Sequence, residues 1–424
     1  MRGFPLTVTD AESLDVAAAH ADTPELAEFR ARVHAFLLEH ADPLGAERPH
    51  DESVVVARAK AFQSALFDAG LAALTFPREY GGGGLTAEHL RVFNEESANF
   101  ELPSRQFMIG LGMCAPTLLE FGTEEQKRAY LPGLLRGDTV WCQLFSEPGA
   151  GSDVASLQTK ATRDGDEWVV NGQKVWTSGA HYCDYGLLVA RTNPDLPKHR
   201  GISMFVADMH AAGVDAVPLR QINGEAHFNE VFLDDVHLPA GALVGEVDDG
   251  WRVAVAMLAN ERVAIGAGGS GQQMGGDSFA FLVSLARAAD ATDDPIVRQE
   301  LADVYCRERI LGFLGMRIRS ALQAGRAPGP EGSVAKLATA ILGKLSADVG
   351  MAIAGAGGQA WETGDPNGGA QSESVLSAPM LGIAGGTSEI QRNIIGERVL
   401  GLPKEPSVDR DPPFRELKVG TQKS

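Results

Sequence analysis

"FSEPGAGSDVASLQTKATRDGDEWVVNGQKVWTSGA", Phe145 to Ala180, is the stretch that organises the rest of the chain. Its opening third sets Pro148, Gly149 and Gly151 between Ser146 and Ser152. Such a loop lets backbone lie close to a flat ligand, while its hydroxyls and N–H groups can cradle an acceptor-rich ring edge or a phosphate. The pattern then changes to short strands: "EWVV" and "KVWTS" flank Asn171-Gly172, a hairpin-turn dipeptide, and Trp176 offers a stacking face with Ser178 beside it.

Working outward, "YGLLVART", "GISMFVAD" and "NEVFLDDVHLP" carry the strand pattern to about Val244, a spacing that predicts a compact barrel or sandwich. On the N-terminal side the period is helical. Leu26, Phe29, Val33, Phe36 and Leu37 follow a Thr23 cap and Pro24. Further helices are predicted over 54–69, stopped by Gly70, over 86–100, and from Thr123, where Gln126 completes a capping box. "FPREYGGGGLT" (Phe76 to Thr86) reads as a surface bend. Helical period returns over 251–267, 278–289, 295–324 and 333–354, and after Thr387. Helical domains on either side of a small β domain follow, an α+β multidomain chain. We divide it into an arm (1–22), a helical domain (23–139), a β domain (140–248), a second helical domain (249–404) and an unpacked, proline-rich tail (405–424).

A length of 424 residues suits two or three domains. No run approaches the apolar length needed to cross a bilayer, and "MRGFPLTVTD" is too quickly polar for a secretory signal, so a cytoplasmic protein is expected. A net charge of −19 disfavours nucleic acid. Cys114, Cys142, Cys183 and Cys306 contain no CxxC pair, and His181 with Cys183 lacks a second ligand pair, so neither a disulfide framework nor a metal site is expected. "GAGGSG" (Gly266 to Gly271) matches a dinucleotide fingerprint but trails a helical run instead of following a strand. No serine has the flanks of a hydrolase nucleophile.

The Phe145–Ala180 stretch resembles the signature region of the acyl-CoA dehydrogenase family, and "GIAGGTSEIQRNIIGERVLGLP" (Gly382 to Pro403) resembles that family's C-terminal signature. The glycine bend at 76–86 is similar to its N-terminal one. The resemblance implies a middle β-barrel or sandwich domain, a C-terminal four-helix bundle, FAD between domains and a homotetramer or homodimer. It implies that Gln143, Phe145 and Ser146 contact the isoalloxazine largely through backbone, with Gly151 in the same loop and Trp176 and Ser178 on the other side. Ser152 is placed near the pantetheine arm, while Thr387 and Glu389 touch the FAD from a helix start at 387–388, with Gln391 completing a capping box.

The implied reaction is α,β-dehydrogenation of an acyl-CoA thioester, with an electron-transfer flavoprotein as electron acceptor. It needs a carboxylate for the α-proton. Many relatives carry a glutamate directly before the Gly-Thr pair; here that residue is Gly385, whose N–H can still polarise the thioester carbonyl. A minority, among them isovaleryl-CoA and long-chain enzymes, place the glutamate on a bundle helix immediately before an arginine. "LANERVAIG" has Glu261 and Arg262 in that place, which makes Glu261 the expected base and Arg262 a substrate-side residue. A side-chain-free position 385 leaves room for a branched or ring-bearing acyl group.

Two departures stand out. The family's "RxxFG" element is missing, leaving Arg287 as the nearest cation, and "AIAGAGGQAW" keeps Gly357 and Gly358 but has Ala354 where a glutamine is common. Either other residues hold the FAD tail, or a related chain supplies the arginine in a mixed tetramer. A flavin monooxygenase or oxidase and a non-catalytic subunit are the rival functions.

Overall fold

The computed structural model describes residues 22–43, 46, 49, 51–266, 278–323, 329–360 and 368–418. Helices α1 (Pro24–His40), α2 (Glu52–Asp68), α3 (Ala87–Ser97), α4 (Ala115–Phe121) and α5 (Glu124–Arg136) build the first region, with a two-residue strand pair, β1 (Asp42–Pro43) and β2 (Phe100–Glu101). Local chemistry sets their ends. Thr23 Oγ1 accepts from Leu26 N, and the Thr123–Gln126 box closes in both directions at the start of α5. The glycine bend is not a surface feature throughout, because Tyr80 inside it is buried in the core shared with α4 and α5.

Eight strands follow: β3 (Trp141–Leu144), β4 (Lys160–Asp164), β5 (Glu167–Ser178), β6 (Tyr185–Arg191), β7 (Ile202–Asp208), β8 (Val214–Leu219), β9 (Phe228–Pro239) and β10 (Leu243–Val244). They form one sheet in the order β10-β7-β6-β4-β5-β9-β8, with β3 parallel to β6. The turn between β4 and β5 is at Gly165-Asp166, not at Asn171-Gly172. Asn171 and Gly172 lie inside β5 at an irregularity against β9, where Asn171 Nδ2 bonds Asp235 Oδ1 at 2.8 Å. The dipeptide signal was overridden by pairing on both flanks of the strand.

The last region comprises α6 (Gly250–Gly266), α7 (Ser278–Ala288), α8 (Pro295–Gln323), α9 (Glu331–Ala354), α10 (Ala356–Gln359), α11 (Gly368–Leu381) and α12 (Ser388–Ile394). Residues 267–271 of the "GAGGSG" stretch lie outside the described residues. Among the described residues α9 is long and apolar enough to cross a membrane by length and composition, with a mean hydropathy of 1.4, which corrects the sequence reading. It is the axis of the helical domain, packed by α6, α7, α8, α11 and α12. α6 in turn touches α4, the π-turn at Gly110–Cys114 and β7, so one helix meets all three regions.

The tail is also packed, against expectation. Phe414 N donates to Leu196 O at 2.9 Å and its ring covers the Arg191 guanidinium at 3.7 Å. Long-range contacts of this kind leave no local periodicity to read.

Candidate active site

The glycine loop is held by a buried ion pair. Lys174, on the inward face of β5 with Trp168 and Val170, is fully buried, and its Nζ donates to Phe145 O at 3.1 Å and Glu147 Oε1 at 2.8 Å. Glu147 also accepts from Gln158 N at 2.7 Å and Thr159 N at 3.0 Å, so one carboxylate ties both ends of the loop. Burial pushes the Glu147 carboxyl up, but the Lys174 ammonium and these amides outweigh it and hold it below the usual range. Burial pushes the Lys174 ammonium down against the pull of Glu147. The Phe145 ring is core, Ser146 O is taken by Val175 N at 2.9 Å, and Gly151 and Ser152 stand exposed at the loop tip.

Across from this loop β5 bulges between Lys174 and Thr177. Trp176 sits there with φ at 60°, among the described residues the only aromatic in the left-handed region, and it is 61% exposed, edge-on to Phe228. A bulky residue in that region stores strain that its surroundings must impose. The fully buried Asn229 does so, donating to Thr177 O at 3.0 Å and His227 O at 3.2 Å. Ser178 follows, half-buried. A broad ring held off the sheet by a strained bulge, beside a loop of small residues, fits a planar cofactor better than a core role.

The other half of the site is helical. Glu261 on α6 is 9% exposed, and Gln143 Nε2 on β3 donates to its Oε2 at 3.4 Å. Arg262 follows it on α6; its side chain lies outside the described part. On α9, Lys336 is 3% exposed and donates to Leu381 O at 3.1 Å and Gly386 O at 2.6 Å. Burial lowers the Lys336 ammonium while the carboxylates of Glu261 and Glu389 pull it back up, which places all three charges in one field. Gly385 and Gly386 follow with φ of 68° and 87°, a backbone that favours glycine.

The capping box expected at α12 does not form. Thr387 is the N-cap, its Oγ1 accepting from Ile390 N, so Gln391 falls one position too late to complete a box. Fully buried instead, it donates Nε2 to Gly385 O at 2.8 Å and Gly386 O at 3.2 Å. Three carbonyls of the 381–386 turn are therefore drawn inward to Lys336 and Gln391. Glu389 is exposed beside Arg392 at 3.4 Å.

The structure thus brings Gln143 to Glu261, with Lys336 binding the Gly385–Gly386 turn close by. It leaves Gly357 and Gly358 apart, beyond the C-terminal end of α9; Ala354 is about 27 Å along that helix from Lys336 at the standard rise. A Cβ on Gly358 would meet Ala354 Cβ and Met351 Sδ at 2.9 Å, so packing accounts for that glycine, whereas Gly357 is open. Arg287 is exposed at the end of α7. Lys174, Glu147 and Lys336 were missed by the sequence reading. For the two lysines the signal was a lone cation falling on the inward period of a strand or on the small-residue face of a helix, and for Glu147 the loop offered none.

Comparison with known proteins follows the same order. Residues 23–138 match the acyl-CoA dehydrogenase N-terminal domain, 142–236 the middle domain and 248–400 the C-terminal domain. Acyl-CoA dehydrogenase IpdE1 of Mycobacterium tuberculosis is 38% identical over 90% of this chain and 99% of that protein. Among solved structures, the Tcur3481-Tcur3483 steroid ACAD is 29% identical with a TM-score of 0.75, covering 91% of this chain and 99% of that one. The ChsE4-ChsE5 complex from Mycobacterium tuberculosis is 30% identical with a TM-score of 0.74, covering 91% and 100%. With helical, β and helical regions in that family's order and all three of its domains matched, the chain belongs to the acyl-CoA dehydrogenase family, oxidoreductases that work with a flavin.

Proposed function

We propose that this chain dehydrogenates a ring-bearing or branched acyl-CoA thioester between its α and β carbons, with Glu261 taking the α-proton. The observation that carries this is the buried Glu261 carboxylate in contact with Gln143 on β3, the strand that leads into the glycine loop. Removal of the α-proton needs a positioned carboxylate, which is the role Glu261 has in this reading. The N–H of Gly385 donates to the thioester carbonyl as negative charge grows there, and the inward pull on the neighbouring carbonyls keeps that turn preorganised. FAD is the cofactor in this reading and supplies a hydride acceptor for the β carbon. Gln143, Phe145, Ser146, Gly151, Trp176 and Ser178 would hold its ring and Thr387 and Glu389 would also contact it, while Ser152 and Arg262 would serve the thioester.

The lack of a side chain at Gly385 supports a bulky acyl group, and so does likeness to a structure named a steroid ACAD. An electron-transfer flavoprotein would be the electron acceptor in this reading. Anaerobic mixing with a panel of straight, branched and polycyclic acyl-CoA esters tests the assignment. Bleaching by a ring-bearing ester should fall about 10²- to 10⁴-fold in Glu261→Gln, the usual contribution of a general base. Undiminished bleaching in that variant removes Glu261 from the role.

A mixed assembly is the second reading. Arg287 stands exposed, Ala354 replaces the usual glutamine, and two of the related structures are named as two-chain assemblies. Native mass measurement with and without co-expressed paralogues decides it: a lone chain that is fully flavinated and active excludes obligatory mixing.

A further inference from the structure

The match to the family's C-terminal domain ends at residue 400, yet the chain beyond it folds back over the β domain. Residues 409–415 run along the β6–β7 connection, residues 192–201. Phe414 N donates to Leu196 O at 2.9 Å, Arg415 N to Pro194 O at 3.0 Å, Pro413 bridges Pro197, and Arg415 pairs with Asp195. Two nearly buried cations then join this segment to the far end of the glycine loop.

Lys198 is 6% exposed and its Nζ reaches Asp409 at 2.5 Å and Asp153 at 2.8 Å. Asp153 directly follows Ser152 and accepts from Ser156 Oγ at 2.5 Å. Arg191 lies under the Phe414 ring and gives Nη2 to Ala155 O at 2.6 Å. Its Nη1 gives to Lys198 O at 2.8 Å and Arg200 O at 3.2 Å, which knits the connection to the same guanidinium. The Asp409 carboxyl is held down at about 2, first by its hydrogen bond from Lys198, so this link is charged at neutral pH. Asp153, Ala155 and Leu157 are therefore held by Lys198 and Arg191, and the segment beyond the family match bears on them through these two cations.

We infer that the C-terminal segment 409–415 is a strap that positions the Ser152–Asp153 end of the glycine loop for the coenzyme A arm of the substrate, acting through Lys198 and Arg191 as positioning residues. The inference rests on the reading that this loop end meets the pantetheine. Opening the strap should weaken contact with the arm while leaving the Glu147–Lys174 lock, the cofactor side of the loop and Glu261 as they are. The effect should follow the CoA portion, not the acyl group.

Equilibrium binding of free coenzyme A to the flavin-loaded protein, by calorimetry, tests this. Truncation after Glu405 should raise its Kd about tenfold, equivalent to ~1.4 kcal/mol. Asp409→Asn, which removes one partly exposed ion pair, should raise it about threefold. Lys198→Arg should stay close to wild type and Lys198→Met should not. Flavin content and turnover of an N-acetylcysteamine thioester should not change in Asp409→Asn or in the truncated chain. Unchanged coenzyme A affinity in both overturns the strap. Parallel loss of flavin or of N-acetylcysteamine thioester turnover also overturns it, because the segment is then only a structural brace. If the wild-type protein binds no coenzyme A, the reading of the loop as a thioester site fails, a result distinct from a strapless chain that binds as well as wild type.

Discussion

Replacing Lys336 by Met tests how the helical half of the site is held together. The side chain is buried and of similar length, so the substitution fills the space while leaving Leu381 O and Gly386 O without the donor that now sits at 3.1 and 2.6 Å. Orphaning a buried carbonyl costs about 1–3 kcal/mol, so two give about 2–6 kcal/mol as an upper range, reduced where water reaches the half-buried Gly386. Relief of the ammonium's own burial offsets part of this. The same change removes a positive charge from the field of Glu261, so the Glu261 carboxyl should bind its proton more tightly. Two assays read the outcome: urea unfolding of the flavin-loaded protein, and the pH profile of anaerobic flavin bleaching by acyl-CoA. We expect a loss of about 2 kcal/mol or more and an acid limb moved to higher pH. Unfolding free energy within about 0.5 kcal/mol of wild type together with an unmoved acid limb would refute the role drawn for Lys336.

Glu147→Gln leaves the Lys174 ammonium buried without its counter-ion and should cost about 3–5 kcal/mol by chemical denaturation. Because the folded Glu147 carboxyl is held below its unfolded value, its contribution is present above the unfolded pKa and is lost as pH falls through the folded one; the Gln variant should show a shallower acid loss over that window. Trp176→Gly should relieve about 1–3 kcal/mol of backbone strain and raise the stability of the flavin-free chain while lowering flavin retention, measured by absorbance after gel filtration. Gly385→Ala, at a φ of 68°, should destabilise by about 1–2 kcal/mol and slow bleaching; a stabilised variant would show that the turn is not held as described.

Lengths of four residues were read well. The Thr23 and Thr123 caps, the helical period of α1 and the strands β6, β7 and β9 all formed as the sequence indicates, because each is settled by hydrogen bonds within one turn or by a short apolar run, alternating in β9 and buried on both faces in β6 and β7. The helical, β, helical order and its family resemblance came from the same local grammar. Glu261 could be singled out only by resemblance, since a Glu-Arg pair on a helix carries no signal of its own.

What depended on residues far apart was not legible. Asn171-Gly172 has the chemistry of a turn, but β4 and β9 pair with β5 on either side and keep it extended. Gln391 has the right type for a capping box and the wrong phase once Thr387 becomes the cap. The strain at Trp176, the inward cations Lys174 and Lys336 and the docking of Phe414 on Arg191 each arise from partners 27 to 223 positions away. The sequence by itself determined which segments coil and which extend, because those choices are settled by neighbours along the chain. Only the tertiary structure decided which buried charges meet, because a cation enters an apolar interior only where distant carbonyls and carboxylates have been brought to receive it.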